Sequence, residues 1–429
     1  MGSGLFLASG LAMREAGAFT LVFVAAGALA MYLEMRALAE MAVATPEPGS
    51  FLVYMARVWG PGWTFVTGWV FWFSSVLTMS SEVTAAATFT RLWFPQVPLW
   101  TWSLAYSALV IALNFLSVRG FGAVEGAMAA VKALAVAAFV LAAAWTLWPV
   151  VTGGAPLAAP APLLPRGWVG AAPAFLLVLF AYAGTGVIGL AAAETAHPRR
   201  AIAFAATAAT LYLALAYLAS VAALLWLVPL SRMSAGVSPF VLAVRRLGIP
   251  AGGTVMNLVL LLAVLSTMNA ALYGNVRVLY GLARQGEAPA ALAELDRRGQ
   301  PARAVWVSAG LLALTIVLAY ALPAKAYAYL VTATGFQAMF IWLMVLLTHL
   351  RYRPYLERRM PERLTYRLPG YPWTTVAAMA LVAVGLLASP LAHGELAGAL
   401  VGFGGVAAAA AVWAGVRGRL RVGVERPRA

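Results

Sequence analysis

The sequence predicts an all-α membrane protein with about twelve spans. Of its 429 residues, 63% are hydrophobic and 10% are charged, against about 25% charged residues in an ordinary soluble domain. The hydrophobic residues also form long runs that approach the roughly 20 residues a spanning helix needs. A soluble enzyme is excluded because its surface would have to be more polar, and a disordered chain is excluded because it would have to be less hydrophobic.

The hydrophobic runs divide the chain into twelve segments. They lie at about 3–18, 18–43, 62–90, 98–117, 124–150, 168–192, 201–229, 252–282, 303–322, 328–350, 371–390 and 395–416. The first is short, and it is predicted to be a partial helix rather than a signal peptide because no basic region precedes it.

Three connecting segments carry local signals. Ser238-Pro239 suits the start of a short helix that continues to Arg246, since Ser favours the N-cap and Pro the first turn. Residues 288–298 also favour a short helix, and the Pro-rich stretch 154–165 favours an extended loop.

The distribution of basic residues predicts the orientation in the membrane. A net charge of +15 is common among nucleic-acid-binding proteins, but here the basic residues lie between hydrophobic segments and form no patch beside aromatic residues. With the loop after the second segment in the cytoplasm, 21 of the 29 Lys and Arg fall inside and 7 outside. The positive-inside rule therefore predicts this orientation, with a cytoplasmic C-terminus. Because the basic residues form no patch, no nucleic-acid partner is expected.

Two matching glycine motifs interrupt the hydrophobic segments. Gly2-Ser3-Gly4 lies in the first segment and Gly184-Thr185-Gly186 in the sixth, five segments apart. Glycine breaks at corresponding positions of two halves point to a transporter site, because unwound helices leave amides and carbonyls for a zwitterionic substrate. Close helix packing is the alternative, since small residues also let helices approach each other.

Further motifs resemble one known family in type and order. They are Gly2-Ser3-Gly4-Leu5-Phe6, Met35-Arg36-Ala37-Leu38-Ala39-Glu40-Met41, Pro48-Gly49-Ser50-Phe51, Gly68-Trp69 with Trp72 and Glu82, Asn114 with Val118-Arg119 and Gly122, Glu125 with Lys132, Phe180 through Ile202, Asn269 with Tyr273, Arg277 and Leu279-Tyr280, and Trp342 with His349-Leu350-Arg351. This ordered set resembles the amino acid permeases of the amino acid–polyamine–organocation superfamily, in particular the bacterial amino acid transporter branch.

The resemblance implies a 5+5 inverted-repeat transporter fold with broken helices 1 and 6. It implies one transporter domain, with a first repeat at 1–150, a second at 168–350 and peripheral helices at 371–416. It also implies that Ser3 and Gly4 offer amides to the substrate's carboxylate. Carbonyls for the ammonium would come from Phe180, Ala181 and Ala183, while Gly184 and Thr185 form the second break.

Lys132 is the candidate proton-coupling residue. It lies eight residues into the fifth segment, and it is one of only two Lys in a chain with 27 Arg. A buried Lys can lose its proton whereas Arg effectively cannot, and the resemblance implies that this ammonium replaces an ion of sodium-driven relatives. A fixed ion pair or a snorkelling side chain is the alternative.

Other polar and aromatic residues are predicted to have structural roles. Glu82 is expected to pair with a neighbouring helix near the outer face, with tuning of the site as the alternative. Arg36 and Glu40 have the spacing of a helical ion pair. Asn269 is expected to form a hydrogen bond across helices, and Trp69, Trp72 and Trp342 to pack or to lie at the membrane interface.

Two departures from the family pattern leave questions open. Met1 directly precedes the first motif, where the family has a tail and a half-helix, so we expect the natural start about 20–40 residues upstream. Gly186 stands where this branch usually has Glu, which leaves the substrate preference open.

These observations predict secondary active transport of amino acids across the cytoplasmic membrane, coupled to protons and driven by alternating access. The alternative is exchange of amino acids or polyamines without proton coupling. The expected partners are the amino acid, protons and lipid, and the oligomeric state stays undetermined. With no Cys, three His and no nucleophile–base pair, neither metal, cofactor nor enzymatic activity is expected.

Overall fold

The computed structural model describes residues 1–46, 51–114, 118–146, 148, 160–186, 198–296, 299–321, 326–388 and 396–417. Side chains are described for all of these except 118–124, 185–186, 198, 318–321 and 326. Lys325, the Pro48-Gly49-Ser50 motif and the sixth-helix motif after Gly186 up to His197 lie outside the described residues.

Helices account for nearly all regular structure in the described ranges, which contain one isolated β-bridge between Ser234 and Val237. We number the helices as follows: α1, a π-helical turn Gly4–Ala8 followed by Ser9–Ala16; α2, Thr20–Ala44; α3, Phe51–Trp59; α4, Pro61–Thr90; α5, Leu99–Asn114; α6, Val118–Trp145; α7, Gly167–Tyr182 with the 3₁₀ turn Ala183–Gly186; α8, Pro198–Phe204, the π-helical turn Ala205–Ala209 and Thr210–Leu227; α9, Pro239–Arg246; α10, Gly252–Arg284; α11, Ala302–Ala321; α12, Ala326–Arg359; α13, Trp373–Ala388; and α14, Leu396–Val416.

The lengths and compositions of these helices confirm the predicted all-α membrane fold class. Within the described residues, six helical stretches are long and apolar enough to cross a membrane, namely Gly4–Ala44, Glu125–Trp145, Arg199–Leu227, Gly252–Arg284, Tyr327–Arg359 and Leu396–Val416. Four shorter apolar helices accompany them, at Leu99–Asn114, Gly167–Tyr182, Ala302–Val317 and Trp373–Ala388. Large apolar side chains such as Leu134 and Leu141 are exposed on α6, as expected of a surface that faces lipid.

Two helices lie between the predicted spans. The short helix α9 was predicted, and the Ser238 hydroxyl caps it by accepting a hydrogen bond from the Phe240 amide at 3.2 Å. Helix α3 was not predicted, although its buried residues Phe51, Leu52, Tyr54 and Met55 follow the spacing of an amphipathic helix.

The predicted helix at 288–298 is wrong. The structure has only the 3₁₀ turn Ala290–Ala293, of which Leu292 alone is buried. Without an apolar face to bury, a segment this short gains too little from packing to form a stable helix.

Helices α1 and α7 contact each other although they are far apart in the sequence, and α4 packs along α10. Helix α9 packs against the π-helical turn at the start of α1: the Phe6 and Phe240 rings lie 5.2 Å apart, and the Ser238 hydroxyl donates a hydrogen bond to the Phe6 carbonyl at 2.7 Å. The start of α1 is therefore held by both α7 and α9.

The expected helical ion pair between Arg36 and Glu40 is also wrong. Glu40 is fully buried and pairs with Arg353 of α12 at 3.3 Å, and its carboxylate accepts a hydrogen bond from the Leu368 amide. Arg36 instead donates to the Arg367 carbonyl at 3.1 Å and lies over the Tyr366 ring. Tertiary partners outcompete the local pair because they satisfy a carboxylate that is out of contact with water.

Candidate binding site at the two helix breaks

The first break lies at the start of α1. The amides of Leu5 and Phe6 both donate to the Gly2 carbonyl at 3.2 Å, and the π-helical turn follows. The Ser3 carbonyl accepts a hydrogen bond from the Tyr327 hydroxyl at 3.0 Å. The backbone at this position is therefore held by side chains as well as by its own helix.

Glu82 of α4 occupies the donors of the first break. Its two carboxylate oxygens accept from the Ser3 amide at 3.1 and 2.9 Å, and the Ser3 hydroxyl donates to it at 3.0 Å. Gly2 lacks the side chain that would prevent this approach, since a Cβ there would lie 2.6 Å from the same carboxylate. Glu82 thus pairs with the start of a neighbouring helix, as expected, and it does so at the break, because the unsatisfied donors of a helix N-terminus attract a carboxylate.

The second break ends α7. There the α-helix tightens into the 3₁₀ turn Ala183–Gly186, and the Ala183 amide donates to the Phe180 carbonyl. The Ala181 carbonyl accepts from the Tyr217 hydroxyl at 3.1 Å. Each carbonyl oxygen has two lone pairs, so Phe180 and Ala181 retain capacity for a further donor.

The two breaks meet in space. A Cβ on Gly4 would lie 2.6 Å from the Ala181 Cα, so only glycine fits at this crossing. The first glycine motif therefore packs against the end of α7, directly before the second motif.

A cavity of about 320 Å³ opens beside the breaks. Of the residues predicted for the site, Gly4, Phe180, Ala181, Ala183, Gly184 and Lys132 line it. Ser3 is fully buried behind the lining, where it contacts Glu82. Thr185 belongs to the 3₁₀ turn, and its side chain lies outside the described part of the chain.

Lys132 projects from α6 toward the cavity and is 8% exposed. Its ammonium donates to the Ser266 hydroxyl of α10 at 2.7 Å and lies 3.8 Å from the Glu125 carboxylate. The Ser266 hydroxyl in turn donates to Glu125. A buried cation is thus joined to a carboxylate through a hydroxyl that contacts both.

The cavity contains one acidic residue that the sequence analysis missed. Glu34 of α2 lines it and is 1% exposed, and Tyr217 and Glu125 line it as well. Glu34 had a detectable signal, because an ionisable residue in a membrane span is a functional candidate by default.

The remaining polar predictions have mixed outcomes. The Asn114 side-chain amide donates to the Asn269 carbonyl at 3.0 Å, which confirms the predicted bond between helices. Trp69 and Trp72 pack with their rings 5.5 Å apart, whereas Trp342 is buried and lines the cavity. In the part of the chain that the structure describes, no group of three His, Cys, Asp or Glu side chains could hold a metal ion.

Comparisons with known proteins agree with this architecture. A family model described as "Amino acid permease" matches residues 1–394. An uncharacterized amino acid permease of Bacillus subtilis, YtnA, is 33% identical over 389 residues, which cover 89% of this chain and 84% of the relative. The aromatic amino acid transport protein AroP of Escherichia coli K12 is 33% identical over 401 residues, which cover 91% of this chain and 87% of the relative.

A solved structure is similar over nearly the whole chain. It is a manganese transporter of Eremococcus coleocola, with a TM-score of 0.58 at 12% identity, and the match covers 97% of this chain and 91% of that one. At this identity the likeness shows a shared transporter fold and gives no information on the substrate.

Proposed function

Because this chain belongs to the amino acid permease family and is a multi-pass membrane transporter rather than an enzyme, we propose that it takes up L-amino acids together with protons across the cytoplasmic membrane by alternating access. The observation that carries the proposal is the meeting of two helix breaks beside a cavity that also contains Lys132. Residues 1–150 and 168–350 form the two repeats of a single transporter domain in this proposal, and 371–416 is peripheral.

The broken helices hold the backbone groups of the amino acid. The Ser3 and Gly4 amides receive its carboxylate, and the Phe180, Ala181 and Ala183 carbonyls receive its ammonium, while Gly184 and Thr185 keep the second helix open. Since Glu82 now occupies the Ser3 donors, an incoming carboxylate has to displace it from them.

Lys132 couples transport to protons in this proposal. Its ammonium lies between Ser266 and Glu125 at the cavity wall, where burial penalises the charged form and Glu125 favours it. A change in its charge alters the link between α6 and α10. The proton can thereby bias the packing of helices on which alternating access depends.

The relatives and the lining favour a large neutral side chain. The relatives named AroP are described as aromatic amino acid transport proteins, and the cavity is lined by Phe51, Phe71 and Trp342. We therefore propose aromatic amino acids as the first substrates to test.

The experiment uses purified protein in proteoliposomes with an imposed pH gradient. The twenty amino acids compete for uptake in the wild type, in Lys132→Ala, in Lys132→Arg and in a control, Arg303→Ala, whose side chain is exposed and pairs with Glu294 at 2.8 Å. We expect both Lys132 variants to lose pH-driven accumulation, since neither can release a proton at this position. The control should retain accumulation.

Unchanged accumulation in both Lys132 variants would remove Lys132 from the coupling mechanism. Counterflow of amino acids or polyamines without any accumulation in the wild type would instead favour an exchanger.

A further inference from the structure

Glu34 is a buried acidic residue to which the proposed mechanism assigns no role. It is 1% exposed in the middle of α2, and among the described residues its Oε2 has no hydrogen-bond partner. An unsatisfied buried polar group costs about 1–3 kcal/mol, and more when it is charged. Glu34 thus brings a costly carboxyl group to the cavity wall, where a bound molecule can satisfy it.

The position of Glu34 can be related to the second break. Gly27 of α2 lies against the Tyr182 ring, which is 3.2 Å from the position that a Cβ on Gly27 would occupy. Seven residues make two helical turns, so Glu34 is on the same face of α2 about 10 Å further along the helix. Both Glu34 and the break residues Ala181 and Ala183 line the same cavity. The side chain of an amino acid held at the breaks would therefore lie in the cavity that Glu34 also lines.

The surroundings of Glu34 restrict the chemistry of that side chain. The cavity lining includes Leu38, one turn further along α2, and the Phe51, Phe71 and Trp342 rings. Aromatic rings pack well against such a lining. A Lys or Arg side chain would have to lose its water to pair with Glu34, and desolvation offsets such a buried pair unless its geometry is excellent.

We infer that Glu34 accepts a hydrogen bond from the tip of an aromatic substrate side chain, so that the site prefers tryptophan and tyrosine to phenylalanine. The indole N–H and the phenol O–H each supply the one donor that a single unpaired carboxyl oxygen needs. Phenylalanine lacks it and leaves Glu34 unsatisfied. The inference rests on the proposed function, because it requires an amino acid whose backbone groups are bound at the breaks.

The test measures selectivity with matched pairs of competitors. Uptake of radiolabelled phenylalanine into proteoliposomes is inhibited by tyrosine or phenylalanine, and by tryptophan or 1-methyltryptophan, which lacks the N–H donor. The proteins are the wild type, Glu34→Leu, Glu34→Gln and the control Glu294→Gln, which removes an exposed carboxylate outside the cavity.

We expect the wild type and the control to favour the donor-bearing member of each pair by at least tenfold, since sites built to bind an O–H or N–H reject analogues without one. Glu34→Leu should reduce the preference to below about twofold, measured as the ratio of the inhibition constants within each pair. Glu34→Gln should retain part of it, because its amide oxygen still accepts.

Equal preferences in the wild type and Glu34→Leu would overturn the inference. Lysine or arginine as the strongest inhibitor of the wild type, with inhibition lost in Glu34→Leu, would also overturn it and assign Glu34 to a cation. If Glu34→Leu takes up no phenylalanine, the test depends on Glu34→Gln. A preference in Glu34→Gln equal to that of the wild type would then overturn the inference. A wild type that takes up none of the twenty amino acids would overturn the proposed function itself, whereas uptake with unchanged preferences overturns only this inference.

Discussion

Glu82 links α4 to the Ser3 donors that the proposed function assigns to the carboxylate of the amino acid. Three hydrogen bonds from Ser3 reach the Glu82 carboxylate, and hydrogen bonds to charged groups contribute about 1.5–3 kcal/mol each. Two carboxylates cannot share these donors without repulsion. In the proposed function Glu82 therefore competes with the substrate, and its release from Ser3 is part of substrate binding.

We predict that Glu82→Gln binds amino acids about tenfold more tightly than the wild type. The amide still fills the space beside Gly2 but brings no negative charge to the Ser3 amide, so less free energy is lost when the substrate's carboxylate enters. Equilibrium binding of radiolabelled phenylalanine to detergent-solubilised protein measures the dissociation constant, and Glu294→Gln is the control. Weaker binding in Glu82→Gln would show that Glu82 contributes directly to the substrate site.

At this scale the sequence was most informative where a residue is unusual in its own context. Lys132 stands out as one of two Lys among 27 Arg and lies in a hydrophobic run, and the structure places it at the cavity. The partner of Glu82 could not be predicted in the same way, because Ser3 is 79 positions away and the contact depends on how α1 and α4 pack.

At position 4, the close approach of α1 to α7 requires glycine. A methyl group at this position would lie 2.6 Å from the Ala181 Cα, which is backbone and cannot rotate away. The two helices would have to separate, and overpacking of this kind costs about 1–3 kcal/mol. Gly4→Ala is therefore expected to reduce amino acid uptake at least tenfold while the protein remains folded.

The matched control for Gly4→Ala is Gly404→Ala in α14, where an added Cβ has no neighbour within 4 Å. It should transport at the wild-type rate. Size-exclusion chromatography in detergent establishes folding for both variants, and proteoliposome uptake measures transport. Equal uptake by the two variants would contradict the tight crossing.

A buried ionic cluster joins α2 to α12 at the end of the molecule that we propose to be cytoplasmic. The Glu40 carboxylate contacts Arg353 at 3.3 Å and His349 at 3.3 Å. Removing one member of a buried ion pair costs about 3–5 kcal/mol, since the other charge stays in place without compensation. The cluster should therefore contribute more to stability than any exposed ion pair.

Arg353→Met is accordingly expected to lower the apparent melting temperature in detergent by several degrees. Arg358→Met, an exposed change on the same helix, should have little effect, because surface charges contribute about 0–1 kcal/mol. The remaining soluble fraction after heating gives the melting temperature. An equal decrease in both variants would show that the buried cluster has no special role in stability.

The helices could be predicted wherever the length of a hydrophobic segment determines them. Each of the twelve hydrophobic segments contains a helix, whereas the two errors concern short segments between them. Helix α3 forms because Phe51, Leu52, Tyr54 and Met55 bury one face, and 288–298 does not extend beyond one turn because only Leu292 is buried. Tertiary burial decides both cases, and the sequence shows it only through the spacing of apolar residues.

At the scale of the whole molecule, the arrangement follows from bringing two distant breaks together. Helix α1 packs on both α7 and α9, and the cavity beside it is lined by Lys132, Glu82, Phe51 and Val345. The motif pair pointed to the meeting of the breaks, because amides from one break and carbonyls from the other are expected to bind one zwitterionic substrate. The shape of the cavity could not be predicted, since it depends on side chains from α2, α4, α6, α7, α8, α10 and α12 together.

The orientation of the molecule gives the last prediction. Arg232 lies between α8 and α10 and Glu362 between α12 and α13, and both are exposed. Three spans, α10, α11 and α12, separate them, so the two positions must be on opposite sides of the membrane. The 21 to 7 division of basic residues predicts that Glu362 is cytoplasmic. Because the chain has no Cys, Arg232→Cys and Glu362→Cys each introduce a single reactive thiol.

A membrane-impermeant maleimide should label Arg232→Cys in intact cells and Glu362→Cys only after permeabilisation. The unsubstituted chain is the control and should remain unlabelled under both conditions. The reverse pattern would invert the orientation. Labelling of both thiols in intact cells would contradict the three intervening spans, and with them the assignment of α10 to α12 as transmembrane helices.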